Sequence, residues 1–247
     1  RLTTLMQWHD EPRAIASVQF SKTLFGENHP YGKPTIGNEK NIRALKIEDL
    51  KKFHQTYFRA DNARIVVVGD VTGSMILPKL ESIFGKWEGG KAEQQSFPKA
   101  EQVKERAIYL IDKPGAPQSE IRIGRIGVER MTEDYYALRV MNTILGGSFT
   151  SRLNQNLREQ HGYTYGASSN FDFRVMPGPF LAGSAVQTAI TDSALIEFMK
   201  ELNRILEAVP DEELNRAKNY LTLRYPENFQ SVGQIANQLA ELVNYDL

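Results

Sequence analysis

The chain contains no cysteine, which excludes disulfides, thiolate zinc sites, iron–sulfur clusters and a cysteine nucleophile in one step. A chain without cysteine suits a reducing cytosol and an oxidising periplasm equally, so the compartment is left open. Excess charge is also lacking: 30 Lys and Arg stand against 30 Asp and Glu. No long-range field therefore draws the whole molecule toward nucleic acid or anionic lipid. No apolar run approaches the roughly 18 residues of a membrane span, and the opening RLTTLMQWHD lacks the apolar core of a signal peptide. Histidine is scarce. The 4 present, His9, His29, His54 and His161, never stand three or four residues apart, so no helical zinc pair exists. Neither G-x-S-x-G, the phosphate-binding G-x-x-x-x-G-K-[ST] nor G-x-G-x-x-G occurs. The residues by themselves contain no complete catalytic constellation.

What is present is globular. The 247 residues are 41% apolar, 10% aromatic and 24% charged, enough for one large or two modest domains. Helical periodicity runs from Arg1 to about Gly26 with a break near Pro12, and the chain opens as if within a helix already under way. The turn-rich stretch Gly26–Asn38 stops it, with His29 read as a loop-shaping residue. A second helix is expected over Lys46–Arg59, a buried strand over Arg64–Asp70 and a helix over Ser74–Trp87. Residues 91–104, rich in polar side chains and poor in apolar ones, read as a linker between a unit at 1–90 and another at 105–247.

Beyond the linker, strands are expected at Arg106–Asp112 and Glu120–Val128, then a helix from Thr132 that ends at Gly146–Gly147. A shorter helix follows at Ser151–His161. Alternation from Tyr163 through Phe173 predicts a half-exposed strand with Tyr163 and Tyr165 on one face, and Pro179–Gln187 is its partner. Helices at Asp192–Val209, Asp211–Arg224 and Phe229–Asn244 complete an α+β order.

The segment Leu145–Ser168, LGGSFTSRLNQNLREQHGYTYGAS, closely resembles the second-domain signature of the pitrilysin/insulinase-type zinc peptidases, in their bacterial and mitochondrial processing-peptidase-like branch. His29-Pro30-Tyr31-Gly32, Asp61-Asn62-Ala63 and Val66-Val67-Val68-Gly69-Asp70 resemble late landmarks of that family's first domain, in the same order. The resemblance implies two related sheet-plus-helices units closing around a peptide, both incomplete in this chain. It implies zinc in the intact enzyme, held by an HxxEH motif that this sequence lacks, so the chain alone is expected to bind no metal and to be inactive. It implies a peptide or unfolded polypeptide as substrate, and a homodimer or a heterodimer with an HxxEH-bearing subunit. Exported relatives make a periplasmic location compatible and leave a cytoplasmic one open.

The resemblance assigns catalytic roles to Arg158 and Tyr165, seven residues apart, as donors to the scissile carbonyl. It assigns substrate contact to Gly146, Gly147, Ser148 and Tyr163, with Arg152 an anchor for the glycine turn. Read from the residues alone, Arg158 is equally an exposed helix charge paired with Glu159 or Asp172. Tyr165 then packs with Phe171 and Phe173, and the glycine pair is a helix C-cap. Two functions are kept open: the substrate-gripping portion of a zinc-dependent endopeptidase, and a non-catalytic partner or structural or binding subunit of a two-chain peptidase-like complex.

Overall fold

A computed structural model describes residues 1–93 and 95–247. Gln94, within the linker read at 91–104, lies outside the described residues. The chain is α+β, as expected: helices together with one three-stranded antiparallel sheet among the described residues.

The expected break at Pro12 is a helix restart. Helix α1 spans Leu2–Asp10 and α2 spans Pro12–Phe25. Between them Glu11 is extended, and its carboxylate accepts hydrogen bonds from Arg13 N at 3.3 Å and Ala14 N at 2.8 Å. Proline fits the first helical position because it has no N–H to satisfy, and the carboxylate caps the positive end of the helix. Gly26, at φ +75°, ends α2 in a backbone conformation that a side chain would strain.

Contacts divide the chain into two units that are not consecutive in sequence: Arg1–Glu39 with Phe97–Thr222, and Lys40–Ser96 with Leu223–Leu247. The first grouping arises because α2 packs on strand β1, Gln118–Ile126. Leu24 and Phe25 bury with Ile126, and a Cβ on Gly124 would stand 2.6 Å from the Phe20 ring. The sheet order is β1–β3–β2, with β3 (Pro179–Gln187) central and β2 (Ser168–Phe171) on the other edge. Ile121 faces Ser184 across β1–β3, and Phe171 faces Phe180 across β2–β3.

Alternation along β3 turns Ala182, Ser184 and Val186 inward. Ala182 and Val186 meet Leu153 and Leu157 and, from helix α8 (Thr191–Arg204), Ala194 and Phe198. Counting along the chain, α3 is Glu39–Ala44, α4 is Ile47–Tyr57, α5 is Gly73–Phe84 and α6 is Tyr135–Asn142. The short α7, Arg152–Asn154, runs on as a π-helical turn over Gln155–Gln160, and α9 (Asp211–Arg224) and α10 (Val232–Tyr245) follow α8. The second unit carries α4, α5 and α10. Within it Asp61 Oδ2 accepts from Gly90 N at 3.0 Å.

Three expected strands differ. Residues 64–70 and 106–112 have no assigned strand, and Ile108 and Leu110 are each 92% exposed. A β-branched run favours extended backbone, but a ladder needs a neighbour, and none pairs with these segments among the described residues. The alternation at 163–173 forms a strand only at Ser168–Phe171, because residues 164–166 are held in a separate turn.

Candidate functional site

Two π-helical turns frame the segment singled out by sequence. One is Thr143–Gly147, continuing α6, and the other is Gln155–Gln160, continuing α7. Such turns are rare and concentrate at functional sites. The first carries Gly146 and Gly147, the second Arg158.

Gly146 is buried, and a Cβ there would stand 2.3 Å from Ser169 N, so the absence of a side chain lets the turn touch β2. Asn142 fastens the same contact: its Nδ2 donates to Ser169 O at 3.0 Å, and Ser169 Oγ donates to its Oδ1 at 2.8 Å. Gly147 is exposed, and Ser148 Oγ donates to Thr143 O at 3.1 Å. The glycine pair therefore does not act as a left-handed cap; neither residue has positive φ.

Arg152 is not the anchor of the glycine turn. Its side chain is 6% exposed, its Nε pairs with Glu213 Oε2 at 2.7 Å, and its Nη1 donates to Arg204 O at 3.2 Å. It joins α7 to the start of α9 and the end of α8. Arg158 is different: its side chain is 36% exposed, near Glu159 at 3.5 Å, with its guanidinium 4.6 Å over the Phe149 ring.

Tyr165 is 93% exposed. Packing with Phe171 and Phe173 is thus ruled out for it; those two rings stack on each other instead. The turn beneath Tyr165 is firmly held. Gly166 N donates to Thr164 Oγ1 at 3.1 Å, and buried Ser184 Oγ lies 2.7 Å from Thr164 Oγ1 and 2.8 Å from Gly166 O. Tyr163 does not share a face with Tyr165: it is half-buried against the core and stacks on His161 at 4.9 Å.

Below these groups runs a polar network. Asn156 Nδ2 donates to Glu197 Oε2 at 2.7 Å and to Glu201 Oε1 at 2.9 Å. The Asn156 bond, with Lys200 adding to it, holds the Glu197 carboxyl below the ordinary carboxylate range. His161 Nε2 stands 3.8 Å from the same carboxylate.

Among the described residues no group of three or more His, Cys, Asp or Glu side chains is placed to hold a metal ion. The histidine best enclosed, His29, is committed elsewhere: it is 3% exposed, and its Nδ1 accepts from Tyr31 N at 3.1 Å. The residues present do not fit a zinc centre. Nor is any helix among them long and apolar enough to cross a membrane. Sequence reasoning missed Phe149 and Asn154. Asn154 is 5% exposed and donates from Nδ2 to Phe149 O at 2.7 Å, while its Oδ1 accepts from Ala167 N at 3.3 Å. An Asn just inside a helix start gives no spacing signal.

The α+β fold, with no metal-holding cluster among the described residues, is that of a peptidase-like domain. The chain belongs to the M16 peptidase family, since residues 44–221 match the family described as the peptidase M16 inactive domain. It is 32% identical over 166 residues to an uncharacterized zinc protease, YmxG, of Bacillus subtilis, covering 67% of this chain and 39% of that protein. It is 24% identical over 245 residues to the uncharacterized zinc protease SCO5738 of Streptomyces coelicolor, covering 97% of this chain and 53% of that one. A crystal structure of a peptidase M16 inactive domain from Pseudomonas fluorescens superposes with a TM-score of 0.90 at 27% identity, over 100% of this chain and 58% of that chain. The chain spans about half the length of the curated relatives it matches.

Proposed function

We propose that this chain is the substrate-gripping portion of a zinc-dependent endopeptidase, with the metal supplied by residues outside it. Its sequential segments 1–90 and 105–247 would then belong to two peptidase-like domains joined at 91–104. The observation that carries the reading is Tyr165, a phenol 93% exposed on a turn fastened by its own Thr164 and by Ser184 of β3. A large ring held out in solvent by a fastened turn is a poor device for stability and a good one for contact. A peptide carbonyl is an acceptor; Tyr165 offers one O–H and Arg158 a fork of N–H donors, and both hydrogen bonds strengthen as negative charge grows on that oxygen. Ser148, Gly147 and Tyr163 lie on the same two segments and would contact the flanking peptide, while Gly146 lets their turn approach β2.

The experiment is peptide binding by the purified chain, read by fluorescence anisotropy of a labelled mixed-sequence peptide pool. Arg158→Ala should weaken binding roughly 10-fold, the lower end for a charge-assisted hydrogen bond, and Tyr165→Phe roughly 2- to 10-fold. Equal affinity in both variants refutes the reading.

A second reading, a non-catalytic partner or structural subunit, is favoured by the description of the matched family as an inactive domain. A purely structural subunit gives Arg158 and Tyr165 nothing to do, so the same titration separates it from the gripping reading; a non-catalytic binding subunit is separated by cleavage kinetics of the complete protein.

A further inference from the structure

We infer that Phe149 is a positioning residue whose ring orients the Arg158 guanidinium toward the peptide's main-chain carbonyl. This rests on the gripping role proposed for Arg158. A long, half-exposed arginine samples many rotamers, and donors in a planar fork are useful only when the plane is fixed. The neighbouring carboxylate does little to fix it. Glu159 is 3.5 Å away and 45% exposed, and ion pairs in such surroundings hold a side chain weakly. The Phe149 ring lies 4.6 Å from the guanidinium carbon, within the range in which an aromatic face attracts a cation and sets the plane of the fork.

The ring in turn has a fixed base. The Phe149 carbonyl accepts from Asn154 Nδ2 at 2.7 Å, and the other end of that amide accepts from Ala167 N at 3.3 Å, two residues beyond Tyr165. Asn154 is buried, and a primary amide offers a donor and an acceptor in one short planar group. One side chain thus ties the loop bearing the Arg158 platform to the turn bearing Tyr165. Phe149 itself remains 64% exposed, so it can be replaced without opening the core.

The test uses the whole chain with Phe149→Ala, Phe149→Tyr, Arg158→Ala and the double variant Phe149→Ala/Arg158→Ala. In wild type, the ring current of Phe149 should shift the Arg158 side-chain protons upfield in NMR spectra. The shift should vanish in Phe149→Ala and persist in Phe149→Tyr. Affinity for the labelled mixed-sequence peptide pool should fall roughly 2- to 5-fold in Phe149→Ala, the range of an exposed cation–π contact, and return in Phe149→Tyr. In the Arg158→Ala background Phe149→Ala should cost nothing further, because the ring acts through the arginine. An equal cost in that background would make Phe149 a direct peptide contact and overturn the inference. So would unchanged affinity in Phe149→Ala where Arg158→Ala weakens binding; that outcome leaves the gripping role standing. Unchanged affinity in Arg158→Ala removes the gripping role and the inference together.

Discussion

Removing Arg152 should destabilise the first unit without touching the candidate peptide contacts. The perturbation is Arg152→Met, close in length and without charge. In wild type the guanidinium, 6% exposed, bonds Glu213 at 2.7 Å and the Arg204 carbonyl at 3.2 Å. After substitution Glu213, 17% exposed, keeps Arg204 Nη2 at 3.8 Å as a partner. Breaking one side of a buried ion pair costs about 3–5 kcal/mol, and the residual Arg204 partner places the expected value near the lower end. For a chain of this size each kcal/mol moves the melting temperature by about 2–4 °C, so the midpoint should fall by on the order of 10 °C in calorimetry. Adding Glu213→Leu should restore most of the loss, because it removes the stranded carboxylate and replaces the pair with apolar volume. An unchanged melting temperature in Arg152→Met, or a further fall in the double variant, would refute the buried-anchor argument.

Gly146→Ala should destabilise by about 1–3 kcal/mol through forced displacement of backbone, because the new methyl would stand 2.3 Å from Ser169 N and 2.8 Å from Ser168 C; an unshifted urea midpoint would contradict this. Burial pushes the His29 pKa below its ordinary 6.5, so the unfolded chain takes up the proton first. Stability should therefore be full above 6.5 and decline as the pH falls from there toward the lowered folded value. His29→Asn, which keeps an acceptor for Tyr31 N, should flatten that part of the melting-temperature profile, and an identical slope in the variant would sink the assignment. Limited proteolysis should cut first within residues 88–104, where the described residues form no helix or strand; protection there with cleavage elsewhere would place the boundary wrongly.

Local rules recovered those elements whose determinants lie inside them. The bounds of β3 follow from the Pro177–Gly178 turn before it and the alternation within it, and α9 follows from its acidic first turn. The runs at 64–70 and 106–112 carry equally strong extended propensity, yet pairing depends on a neighbour that periodicity does not record. The alternation at Tyr163–Phe173 misled for another reason. Ser184, on a different strand, captures Thr164 and Gly166 and turns Tyr165 outward. The candidate site was legible as a motif but not as an arrangement: Arg152 meets a partner 61 residues away, and Phe149 becomes the Arg158 platform through the buried amide of Asn154.

The central claim is that Arg158 and Tyr165 hold a peptide carbonyl during hydrolysis. Its most direct test is steady-state peptide cleavage by the complete zinc-bearing protein or complex that contains this chain, comparing wild type with Arg158→Ala and Tyr165→Phe. Each variant should retain its metal content and melting temperature while kcat/KM falls on the order of 10²-fold, the usual cost of one donor to a developing oxyanion. Wild-type kcat/KM in both variants, with zinc bound, would contradict the account and leave the family likeness as one of fold alone.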